Sequence, residues 1–337
     1  MEKKKKVARP AGAVRTAKGI VQMKFIIGVD LGGTYIKAGS VSKEGELLNE
    51  TSLPSQGEVG PQAVVSQIAK AVETIRQKHP GEELLGVGIG SPGIVDLDGG
   101  TVKYPPNLAN WKVFRLGDEV AKKIGARVEV ENDANAAAVG ELKFGAGKGL
   151  KNFVMITLGT GVGGGFVVDG RVFRGEEGGA GEIGHTTIDY DGPLCGCGNH
   201  GCVEAYVGQK HLSRRVAEQL KTHPDSLINK LLAGDIDKLE PKIISQAADR
   251  GDRFALDVWK ETGMYIGTAV ASAFNLFDVT TLIIGGGVAM AGKPLFDSIE
   301  ATVKARVLSP LKPRVKVIKA QLANSAGIIG AAALIAD

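Results

Sequence analysis

The apolar run FIIGV (Phe25–Val29) ends in Asp30 and the turn LGGT. YIKAGSVS then alternates apolar and polar positions, and EGELLNETS brings a second turn and a third run. A short apolar run reads as a buried strand and alternation as a half-buried one, so the pattern predicts a meander of three strands. Dinucleotide fingerprints and P-loops pass from their glycines straight into a helix. Here the glycines lead into a strand, which argues against both. Phe153 stands 128 positions after Phe25 and opens FVMITLGTGVGGGFVVDGRVFRG, where strand, glycine-rich turn, strand, DG turn and strand recur in the same order. Two such units predict an internal duplication and hence two lobes.

Between the repeats, Pro61–Lys78 has helical spacing, LLGVGIGSPG reads as a buried strand ending in a loop, and RVEVEN as a strand ending at Asn132. DANAAAVGELKFG opens a helix with Asp133 near its start, the alanines favouring helix. Residues 206–276 read as mostly helical, VTTLIIGGG as a late buried strand and SAGIIGAAALIA as a terminal apolar helix. The expected organisation is an α/β chain with a leader at 1–22, a small lobe at 23–131, a large lobe at 132–323, and residues 324–337 returning to the small lobe.

The net charge of +4 misleads. Residues 1–22 hold seven Lys or Arg against one Glu and so carry +6, which leaves the remainder at −2 and gives no overall basic surface for nucleic acid. The leader lacks the apolar stretch of a signal peptide and reads as a disordered extension, with Met23 directly before the first strand. No segment approaches the roughly 18 apolar residues of a membrane span, so a cytoplasmic protein is expected. In a reducing compartment stable disulfides are rare, and three cysteines would leave one unpaired.

All three cysteines fall in CGCGNHGC, Cys195–Cys202. The spacing C-x-C-x₄-C offers three thiolates, and structural Zn²⁺ takes four ligands in a tetrahedron. His200 inside the loop and His185 ten residues before Cys195 are both open as the fourth. The turns DLGGT (Asp30–Thr34) and GTGVGGG (Gly159–Gly165) let backbone approach a ligand and aim N–H groups at phosphate oxygens. Asp30 at a strand end suits Mg²⁺. At the strand-to-helix junction, Asp133 is placed to act as a base toward an alcohol, which is nearly all the covalent help phosphoryl transfer needs. Asn132, Glu182, His185 and Glu204 supply donors and acceptors of the kind sugar hydroxyls require.

Taken together, DLGGT, ENDANA, GTGVGGG, GEIGH and CGCGNHGCVE resemble the ROK family of sugar kinases and sugar-responsive repressors, from about Met23 to the C-terminus. The resemblance implies the actin-like ATPase fold, two ribonuclease-H-like lobes around a central cleft, and ATP-dependent phosphorylation of glucose at its 6-hydroxyl with Asp133 as general base. Fructose, mannose, allose or an N-acetylated amino sugar are the alternative substrates. A repressor is disfavoured because only 22 residues precede the core. The resemblance further implies hexose contacts from Gly93, Asn107, Asn132, Glu182, His185 and Glu204. ATP phosphates would lie at Gly32, Gly33, Thr34, Thr160, Gly161, Gly163 and Gly164, and the nucleoside near Gly285 and Gly286. It selects His185 with Cys195, Cys197 and Cys202 for zinc, and implies a homodimer or homotetramer.

Overall fold

The computed structural model describes residues 24–106, 108 and 111–336; the leader 1–22 and Asn107 lie outside them. The chain runs β1 (Lys24–Leu31), β2 (Tyr35–Val41), β3 (Leu47–Pro54), α1 (Pro61–Arg76), β4 (Glu83–Ser91), β5 (Ile94–Asp96), β6 (Thr101–Lys103), β7 (Val113–Arg115), α2 (Leu116–Ile124), β8 (Val128–Asn132) and α3 (Asp133–Phe144). It continues with β9 (Phe153–Leu158), β10 (Val162–Val168), β11 (Arg171–Val172), α4 (Glu204–Val207), α5 (Gln209–Leu220), α6 (Leu227–Leu232), α7 (Pro241–Asp249) and α8 (Arg253–Phe277). The last elements are β12 (Thr281–Gly285), α9 (Lys293–Arg306), β13 (Lys316–Lys319) and α10 (Ala326–Ala333).

Two five-stranded sheets share one topology, β3-β2-β1-β4-β8 and β11-β10-β9-β12-β13. In each, an antiparallel meander is followed by two parallel strands. The duplication read from the turns is thus present strand for strand. Parallel neighbours require crossovers, and these supply α1 in the first sheet and α4–α8 in the second. The β4–β8 crossover also holds a three-stranded sheet, β5-β6-β7, before α2. Its strands have three residues each, too short for a period to show.

Helix α1 starts at Pro61, where a missing N–H costs nothing, and buries Val64, Val65, Ile68, Ala71, Val72 and Ile75 at helical spacing. One core lies beneath α1 and α2 on the first sheet; a larger one surrounds α8, with Trp259 and Phe274 fully buried. Helix α10 returns to β1 and β4 and also lies along α3. It comes close because Gly28 and Gly88 leave room: a Cβ on either would stand 1.8 Å from a carbonyl oxygen of α10. Glu141, fully buried on α3, accepts the backbone N–H groups of Ala146, Gln321 and Leu322 at 2.6, 3.1 and 2.8 Å, which anchors the approach to that helix. Among the described residues no helix is long and apolar enough to cross a membrane.

Candidate active site

The parallel strands of the first sheet end level with one another. Asp30 pairs with Gly90, Gly90 with Glu131, and Ser91 with Asn132. The ends of such strands are where open α/β sheets hold ligands. In the second sheet Thr157 pairs with Gly285. Gly286, at φ 87°, lies against Leu158, where a Cβ would meet the carbonyl oxygen at 2.2 Å. The motifs of each half thus sit at corresponding strand ends.

Asn132 is the N-cap of α3. Its side-chain oxygen accepts the N–H groups of Ala134 and Asn135 at 2.9 and 3.1 Å, the usual service of an Asn at this position. Its amide nitrogen donates to the carbonyl of Gly93 at 3.1 Å. The sequence left both atoms free for a ligand; the structure employs both in fixing the junction. Asp133 follows, its carboxylate accepting the N–H of Ala134 at 2.8 Å. The side chain opens onto solvent at the strand ends, yet surrounding protein crowds it on the other sides. That desolvation, reinforced by the charges of Asp30 and Glu182 and opposed by the Ala134 N–H, pushes its carboxyl up to about 6. Burial also raises Asp30, against the pull of Lys37.

The second glycine motif is shorter as a turn than its sequence suggests. Only Gly159–Gly161 connect the strands, while Val162–Gly165 belong to β10. The exposed tip is Thr160, as Thr34 is in the β1–β2 turn beside Gly32 and Gly33. The remaining glycines admit the protein's own segments. A Cβ on Gly161 would stand 2.4 Å from Glu204 Oε2, on Gly163 2.9 Å from Ala134, and on Gly164 2.3 Å from the carbonyl of Gly181. The motif therefore draws α3, the Glu182 segment and α4 together as well as exposing backbone.

Glu182 precedes a 3₁₀ turn, Ile183–His185. Its carboxyl is raised by burial, the His185 ring opposing and Glu204 adding to the shift. His185 faces two ways: Nε2 lies 4.0 Å from Glu182 Oε2 and Nδ1 3.7 Å from Cys195 Sγ. Cys197 and Cys202 Sγ are also 3.7 Å apart, and the donor atoms of His185 and the three cysteines all lie within 4.8 Å of one another. A tetrahedron with Zn–S of about 2.3 Å has edges of about 3.8 Å, so this set has the dimensions and chemistry to hold zinc. Without a cation, burial and the other thiols push Cys202 up to about 12. His200 turns away, its Nδ1 3.0 Å from the carbonyl of Gly192.

The ROK family pattern matches residues 26–337. The chain belongs to the ROK family. With membership goes the actin-like ATPase fold of two ribonuclease-H-like lobes, which the twin sheets display. This ROK chain is 40% identical over 312 residues to a glucokinase of Thermotoga maritima, covering 93% of the chain and 97% of that protein. A ROK family glucokinase from Streptomyces griseus, solved with glucose and AMPPNP, superposes with a TM-score of 0.80 at 38% identity, covering 92% of this chain and 98% of the other. The xylose repressor of Bacillus subtilis is 29% identical over 316 residues, covering 93% of the chain and 77% of the repressor.

Two residues escaped the sequence reading. Glu131, buried behind Asn132, and Arg174, beyond β11, form an ion pair at 2.6 Å. A lone Arg in FRGEEGG carries no sequence signal, and Glu131 reads as one polar position of an alternating strand.

Proposed function

We propose that this ROK chain is an ATP-dependent hexose kinase that transfers the γ-phosphoryl group of ATP to O6 of glucose, with Asp133 as general base. The observation that carries the reading is the placement of Asp133: on a rigid helix start, open toward the strand ends, with its carboxyl raised to about 6 and two further carboxylates around it. A base with a pKa near working pH is ionised when needed and still basic enough to accept a proton. The identity to glucokinases over nearly the whole chain supports glucose as the hexose.

In this reading Asp133 takes the proton of the 6-hydroxyl as O6 attacks phosphorus, and the leaving ADP oxygen departs in line. Glu182, His185, Glu204 and Gly93 hold the sugar, Asn132 adds the one amide N–H that its bond to Gly93 leaves over, and Asn107 is a further sugar contact. Gly32, Gly33, Thr34, Thr160, Gly161, Gly163 and Gly164 serve the phosphates, and Gly285 and Gly286 the nucleoside. Asp30 would hold Mg²⁺, which supplies charge neutralisation on the phosphates when bound. His185, Cys195, Cys197 and Cys202 would hold Zn²⁺, whose contribution is to staple the loop and fix the His185 ring. With Nδ1 on the thiol side, Nε2 is left toward the sugar beside Glu182. Sugar binding closes the lobes and excludes water from the phosphates.

A coupled assay of ADP release across glucose, fructose, mannose, allose and N-acetylated amino sugars tests this. The expected result is the highest kcat/KM with glucose. A higher value for another hexose moves the substrate, and no ATP-dependent turnover on any hexose overturns the function.

A further inference from the structure

Behind Asn132 and Asp133, Glu131 is 1% exposed and engaged from three sides. Its Oε1 accepts the backbone N–H of Asn132 at 3.0 Å and the side-chain amide of Asn135 at 3.2 Å, and its Oε2 accepts Nε–H of Arg174 at 2.6 Å. Glu131 lies in β8, the edge strand of the first sheet; Arg174 stands two residues past β11, the edge strand of the second. The ion pair therefore joins one sheet's edge to the other's. Beyond Arg174 the chain crosses to the three-stranded sheet, where Glu177 meets Lys103 at 3.0 Å and a Cβ on Gly178 would stand 2.2 Å from the Val95 carbonyl oxygen. Glu182 and His185 follow on the same segment.

A buried ion pair is weak evidence for stability, because desolvation offsets its attraction, and its best-attested use is to enforce one geometry. The partners of Glu131 indicate which geometry that is. One carboxylate oxygen holds the first turn of α3 through two separate donors, while the other holds the strand end from which the Glu182 segment departs. We propose that Glu131 and Arg174 are positioning residues, their ion pair fixing the orientation of Asp133 relative to the segment that carries Glu182 and His185. The inference rests on the reading of Asp133 as the base and adds to it the device that aligns base and sugar across the two halves.

The test is steady-state kinetics with thermal melts on Glu131→Gln, Arg174→Gln, the double variant and Arg174→Lys, beside wild type and Asp133→Asn. Either Gln variant should lower kcat by roughly 10- to 100-fold, the scale of a misplacement of about 1 Å, while KM for ATP changes little. The double variant should fall no further than the worse single one, since the two residues act as a unit. Because a single N–H makes the contact, Arg174→Lys should recover most of kcat. If Glu131→Gln does not fold, Arg174→Gln, at the partly exposed end of the pair, carries the test. A lowered melting temperature with kcat near wild type in Arg174→Gln overturns the proposal, as do additive losses in the double variant. Wild type inactive on glucose, or Asp133→Asn fully active, would instead bring down the reading of the base, and this inference with it.

Discussion

The Glu204 carboxylate accepts the backbone N–H of Val162 at 2.9 Å, tying the first residue of α4 to the first residue of β10. Its other oxygen lies 3.8 Å from Cys195 Sγ. One side chain thus spans the cysteine loop and the glycine turn, the proposed sugar and phosphate sides of the site. Hydrogen bonds to a charged group are worth about 1.5–3 kcal/mol. Glu204→Ala should accordingly raise KM for both glucose and ATP, each by roughly tenfold or more. A rise for glucose alone in steady-state kinetics would mean that the tie to Val162 has no bearing on the nucleotide.

Asp133 gives a pH signature. A base must be ionised to act, so kcat/KM should fall tenfold per pH unit below about 6, where its carboxyl titrates. Asp133→Asn should lower kcat by roughly 10²- to 10⁴-fold and leave glucose binding, measured by calorimetry, largely intact. The same shift sets a stability effect of definite sign. The folded value exceeds the usual 3.8, so the folded state binds more protons than the unfolded between about pH 4 and pH 6. Stability is therefore full below that window and lost as pH rises through it. Asp133→Asn should melt at a higher temperature than wild type at pH 7.5 and at the same temperature below about pH 4, a small effect because the group opens to water.

Metal removal separates structure from chemistry. With His185, Cys195, Cys197 and Cys202 as four protein ligands, a bound zinc would keep no open position for the proposed reaction, so loss of the ion would act through the loop. Zinc-free protein, checked by elemental analysis, should melt roughly 5 °C lower or more: about 1 kcal/mol shifts a chain of this length by only about 1–2 °C, but a structural zinc contributes several times that to folding. Its KM for glucose should rise, since His185 and Glu204 both flank the cluster. Unchanged melting and unchanged KM in such protein would dismiss the metal's role.

Most of the architecture was legible because the duplication writes itself twice: FIIGVDLGGT and FVMITLGTG carry the same turn at the same place, and the sheets built on them share one order. That Cys195, Cys197 and Cys202 would converge was legible because three thiols within eight residues suit few other tasks, and the structure brings His185 to them. What stayed hidden depends on distant pairing. Nothing local to Glu131 announces Arg174, 43 positions away, and nothing in GTGVGGG shows that Gly161, Gly163 and Gly164 admit Glu204, Ala134 and Gly181 as well as exposing backbone. Asn132 reads as a ligand by chemistry but spends its amide on a cap and on Gly93. The β5–β7 sheet escaped because three-residue strands leave no alternation to read.

The seat of α10 on Gly28 and Gly88 sets an order of events during synthesis. The strands that need this cover leave the ribosome about 240 to 300 residues before it, an interval of about 12–60 s at ordinary elongation rates. For that time the oldest sheet of the nascent polypeptide has one face uncapped, while the younger sheet can complete itself first. Loss of a dozen residues at the C-terminus, by proteolysis or a premature stop, would therefore undo the part of the molecule made earliest.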